Sequence, residues 1–99
     1  MSFVSTQPEY LTAATGNLQS IGSVVTAQNA AAAAPTVGVV PAAADEVSAL
    51  TATQFAMHAQ MYQAVSAQAA AIHDMFVSTL GASAGSYAAT EAANAVAAG

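Results

Sequence analysis

The 99-residue chain contains no Lys and no Arg. Five acids, Glu9, Asp45, Glu46, Asp74 and Glu91, leave a formal net charge of -5 at pH 7. With no cation to displace counterions from phosphates, binding to nucleic acid by charge is excluded. Lys and Arg salt bridges are excluded with it. There is no Cys, so disulfides, thiolate catalysis and Cys-based zinc sites are excluded too. There is no Trp. Met1-Ser2-Phe3-Val4 offers neither a basic n-region nor a long apolar run, so no cleaved leader is expected there. Strongly apolar residues are sparse in the uncharged stretch from Tyr10 to Ala44, which also holds Asn17, Gln19, Gln28 and Asn29. That stretch reads as soluble helix rather than a membrane span. The usual cationic anchors to anionic lipid are also missing, and association with a membrane surface stays open.

What is present is alanine and a sparse set of large apolar side chains. Hydrophobic residues make up 56% of the chain. One domain at most is expected at this length. Thr6-Gln7-Pro8-Glu9 reads as a helix start. Thr6 is placed to cap, Glu9 to reach back as the second half of a capping box, and Pro8 sits in the first turn. Good helix formers then run to Ala34, giving a first helix over about 8–34. Leu11, Leu18, Ile21 and Val25 share one face within about 80°. Gly16 and Gly22 weaken that helix, and close approach of another backbone is the expected return.

Pro35-Thr36-Val37-Gly38-Val39-Val40-Pro41 breaks the pattern and reads as a short connection over 35–41. The helices it joins are expected to be antiparallel neighbours. A second helix is predicted over about 42–81, with Asp45 and Glu46 in its first turn. Val47, Leu50, Met57, Met61, Val65, Ile72, Phe76 and Leu80 form a stripe over an arc of about 140°, flanked by Phe55 and Tyr62. Gly81 and Gly85 are expected to interrupt it, leaving 82–99 as a short helical segment or frayed tail. The fold class is all-α, an antiparallel two-helix hairpin.

Two rods side by side enclose no core, and the large side chains are too few to offset the entropy of ordering the chain. More helices against the stripe are expected, from a second copy or a different protein. The stripe can serve as an intramolecular core, a homo-oligomer seam or a partner interface. Its members and the flanking Phe55 and Tyr62, with Leu11, Leu18, Ile21, Val25 and His58, are the candidate interface. Met57, Met61 and Met75 suit adaptable packing.

No catalytic, cofactor or metal site is expected. His58 projects into the stripe as a packing residue, and His73 sits at its edge beside Asp74. The two histidines lie about 22 Å apart along one helix, too far to share a metal. Ser66, His73 and Asp74 do not face one another as a triad. No nucleophile elbow, His-Glu-x-x-His or phosphate loop is present.

Pro8-Glu9, the alanine-rich helix, Pro41-Ala-Ala-Ala-Asp45-Glu46-Val47-Ser48 and Tyr87-Ala-Ala-Thr-Glu91 together resemble the mycobacterial PE family over the whole chain. The Met1 to Val4 opening and the stretch Asp45 to Leu50 resemble members exported by the fifth ESX system. The resemblance implies a helical hairpin that pairs with a PPE protein in an elongated four-helix bundle. It also implies export by type VII secretion machinery to the outside or the cell surface. Tyr87 and Glu91 would be the Tyr-x-x-x-Asp/Glu export motif. An EspG chaperone would be met only indirectly, through the PPE partner. Alternative readings are a part in outer-envelope solute uptake with such a partner, or a self-assembling homodimer of hairpins.

Overall fold

The computed structural model describes residues 6–99, so the Met1 to Val4 opening lies outside the described residues. Two helices, α1 (Pro8–Val37) and α2 (Glu46–Ala98), run antiparallel along each other. Thr15 meets Gly81, Leu18 meets His73 and Asn29 meets Tyr62 and Gln63. The molecule measures 80 × 19 × 19 Å, and its length is that of α2, since 53 residues at about 1.5 Å each reach about 80 Å. No strand occurs among the described residues. The all-α hairpin expected from the sequence is the observed fold.

The element ends differ from the sequence reading in three places. First, α1 does not stop at Ala34 but runs through Pro35 to Val37. Pro35 lies in the last turn, so its missing N–H removes a single ladder bond. Thr36 Oγ1 donates to the Ala32 carbonyl at 2.6 Å, and the Gly38 N–H closes the end on Ala34 O at 2.9 Å. Second, α2 starts at Glu46 rather than Ala42, with Asp45 as its cap. Third, and largest, no break or tail follows Leu80: α2 continues through Gly81 and Gly85 to Ala98. Each Gly weakens a helix by about 1 kcal/mol relative to Ala. That cost is met because Gly81 packs beside Thr15 and because Ala84, one turn on, is 3% exposed.

The capping box is also displaced. Gln7 occupies the cap position of α1, and no side chain bonds the cap amides. Pro8 stands in the first turn as expected, with Glu9 beside it. Thr6 turns instead to the far end of the chain, as described below.

The α2 side of the seam between the helices is made mostly of small residues. On α2, Ala52, Ala56, Ala59, Gln63, Ser66, Ala70, His73, Val77, Leu80 and Ala84 are buried or half-buried. They alternate steps of four and three, the 3.5-residue repeat that keeps one face on a neighbouring helix. Among the described residues the buried apolar ones are three alanines, Ala52, Ala59 and Ala84, and one valine, Val77. On α1 the facing residues include Leu11, Thr15, Leu18 and Gly22.

At Gly22 the close approach is real, but it is a side chain and not a backbone that comes near. A Cβ there would lie 2.8 Å from the His73 ring, whose Nε2–H donates to the Leu18 carbonyl at 2.8 Å. Gly16 faces open space, and nothing around it requires glycine. Gly22→Ala is therefore expected to destabilise the hairpin, by about 1 kcal/mol once an overpacking cost of about 1–3 is set against a helix gain of about 1. With His73→Ala already in place, the same change becomes neutral or stabilising. A double-mutant cycle on thermal melts reads the sign change.

Asp45 Oδ1 accepts from the Ser48 N–H at 2.8 Å, and Oδ2 accepts from Ser48 Oγ at 3.0 Å. The Ser48 backbone bond, and after it the Ser48 hydroxyl, hold the Asp45 carboxyl below its ordinary range. A depressed carboxylate stabilises the fold above its unfolded pKa of about 3.9 and ceases to do so as pH falls through the lower folded value. The Ser48 amide is expected to lose exchange protection on acidification below about pH 4. Asp45→Asn, which keeps an acceptor, removes that acid step, and persistence of the step in this variant counts against the assignment.

Candidate partner-binding surface

Because small residues occupy the seam, the large ones point elsewhere. Val47, Leu50, Met57, Met61, Val65, Ile72 and Phe76 are all exposed, with Met61 at 65% and Ile72 at 64%. They fall between the seam positions of the repeat, so α2 buries alanine and presents its bulky side chains outward. Phe55 and Tyr62 flank this stripe and are exposed too. His58 is exposed beside it. Ile21 and Val25 of α1 are exposed and line the same interhelical groove as Tyr62 and His73, a groove of about 970 Å³. Leu11, Leu18 and Leu80 differ from the other interface candidates: they are half-buried and share the seam face. A helix apolar on every side is ordinarily enclosed by protein, and a monomer rarely leaves a continuous apolar face of this extent open.

Polar groups are used between the helices rather than on the stripe. Tyr62 OH donates to Asn29 Oδ1 at 2.7 Å, and Gln63 Nε2 donates to the Asn29 carbonyl at 2.9 Å. His73 makes the third link, to Leu18. Neither Asn29 nor Gln63 stands out in the sequence, since an isolated amide in a polar-spotted helix carries no periodic signal.

At the open end of the hairpin, Tyr87 and Glu91 lie one turn apart on α2. Such a pair shares a helix face. Tyr87 is 46% exposed. Glu91 is half-buried, and its Oε1 accepts from Thr6 Oγ1 at 3.0 Å and from the Thr6 N–H at 3.3 Å. At the other end Val39, Val40 and Ala42 of the connection share a groove of about 180 Å³ with Val47, Thr51, Ala52 and Phe55.

Among the described residues no three His, Asp or Glu side chains gather as metal ligands. Ser66, His73 and Asp74 line the interhelical groove, but the His73 Nε2 is engaged with Leu18, so they do not form a triad. No helix among the described residues is long and apolar enough to cross a membrane.

Known proteins share this pattern closely. The chain is 71% identical over 98 residues to PE family protein PE13 of Mycobacterium tuberculosis, covering 99% of both chains. It is 59% identical over 98 residues to PE family protein PE8 of the same organism, spanning 36% of that longer chain. It is 60% identical over 95 residues to PE-PGRS family protein PE_PGRS33 of Mycobacterium tuberculosis, spanning 20% of it. The sequence pattern of the PE family matches residues 4–94. With a match over nearly its whole length, the chain belongs to the mycobacterial PE family.

Proposed function

We propose that this chain is a non-catalytic interaction module that forms a heterodimer with a PPE protein and travels with it through a type VII secretion system. The observation that carries the reading is the inverted arrangement of α2, with alanine inside the hairpin and Met61, Val65, Ile72 and Phe76 outside. Two further helices laid against that stripe would complete an elongated four-helix bundle. Charge favours a different protein over a second copy. Each copy carries -5 with no Lys or Arg to answer it, so self-association brings like charges together. Tyr87 and Glu91, one turn apart on α2, serve as the export signal, and the pair moves from the cytoplasm to the envelope surface or the outside. Contact with an EspG chaperone is made by the PPE chain.

Co-expression tests this reading. With a PPE protein, the chain is expected in a soluble one-to-one complex with a single cooperative melt. Alone, it is expected to lack that melt or to aggregate. A cooperative melt of the isolated monomer would overturn the proposal, and light scattering that finds a stable homodimer would replace it.

A further inference from the structure

Among the described residues, the last fourteen of α2 have almost nothing to rest on. From Gly85 to Gly99 the single residue that is not exposed is Glu91. Its partner is Thr6, 85 positions away in the chain, whose hydroxyl and backbone N–H both donate to the same carboxylate oxygen. An isolated helix of this length is marginal in water even when rich in alanine, and this one carries Gly81 and Gly85 at its root. A single tertiary contact near its middle therefore has a large influence on whether the segment is helix or coil. Bonds to an ionised acceptor are the stronger class.

We infer that Thr6 is a positioning residue that clasps Glu91 and so keeps Tyr87 and Glu91 on one ordered helical face. The inference rests on the export reading of those two residues for its consequence, but not for its structural content. Glu91 then has two roles. It is half of the export motif and also the anchor that makes the motif helical. Thr6, just ahead of α1, becomes part of the signal's architecture, and its hydroxyl is engaged with Glu91 rather than with its own helix. Access to the Glu91 carboxylate by the export machinery requires either that Thr6 gives way or that recognition uses the other oxygen, Oε2.

The test uses Thr6→Val, which removes the hydroxyl donor at nearly constant shape, and Thr6→Ser, which keeps it. The full chain is used in whichever form, alone or with a PPE protein, is folded by circular dichroism. Amide exchange over residues 87–98 is the first readout and secretion from cells the second. Thr6→Val is expected to lower protection in that segment about three- to tenfold, the effect of one lost charge-assisted bond diluted by the surviving N–H bond, while leaving the Ala52 to Val77 seam unchanged. Thr6→Ser is expected to restore it. Unchanged protection in Thr6→Val overturns the clasp, whatever secretion does. Lost protection with normal secretion leaves the clasp standing and removes the ordered-motif reading of export. Lost secretion with normal protection assigns Thr6 to direct contact with the machinery and also overturns the clasp.

Discussion

Replacing Val65 and Ile72 together by Asp is expected to abolish the complex with a PPE partner while leaving the hairpin's own seam intact. Both side chains point away from α1 and are exposed in the single chain, so neither supports α1 packing. In a heterodimer each would be buried. Burial of a large aliphatic side chain is worth about 1.5–3 kcal/mol, so the pair accounts for about 3–6 kcal/mol, or at least about a hundredfold in affinity. An unpaired carboxylate in the same place adds a desolvation cost. No Lys or Arg of this chain exists to neutralise it. Pull-down after co-expression with the PPE protein measures the loss. Undiminished binding would show that this stripe is not the interface.

Ala84→Leu is expected to destabilise the fold although it adds apolar surface. Ala84 is 3% exposed in the seam. Leucine there drives the helices apart or off their rotamers, at about 1–3 kcal/mol. The loss is read as a melting midpoint lowered by several degrees, in whichever form of the chain melts cooperatively, alone or with a PPE protein. Ala92→Leu, at an exposed position of the same helix, is the control and is expected to move the midpoint by no more than about 2 °C. If the two substitutions behave alike, close approach through alanine is not what joins the helices.

These two substitutions also mark the division between what the sequence displays and what it conceals. The all-α hairpin was legible because alanine runs, the Pro35 to Pro41 interruption and the first-turn acids are local signals. The outer stripe was legible as a stripe, since its members recur at helical spacing. Its orientation was not. Large apolar residues ordinarily mark the buried face, and here the α2 face toward α1 is mostly small, with Val77 and Leu80 as its large apolar members. Ala52, Ala56, Ala59, Ala70 and Ala84 follow the alternating four-and-three rhythm, yet alanine is so common in this chain that the rhythm does not stand out. The extension of α2 past Gly85 was hidden for a different reason. It depends on Glu91 meeting Thr6, a contact across 85 positions that no local propensity contains. Thr6 was read as a cap because a capping box is a pattern of neighbours, and the contact that competes for its hydroxyl is not. Asn29 and Gln63 were missed in the same way, as polar residues whose value lies entirely in being opposite one another.

The alanine seam has one more consequence. Apolar burial is non-directional, so contact between small side chains says little about how far along each other the two helices are set. Asn29 under Tyr62, Gly22 under His73 and Glu91 beside Thr6 each occur once. They act as index marks on a faintly graduated ruler: a few directional contacts set the zero of the scale.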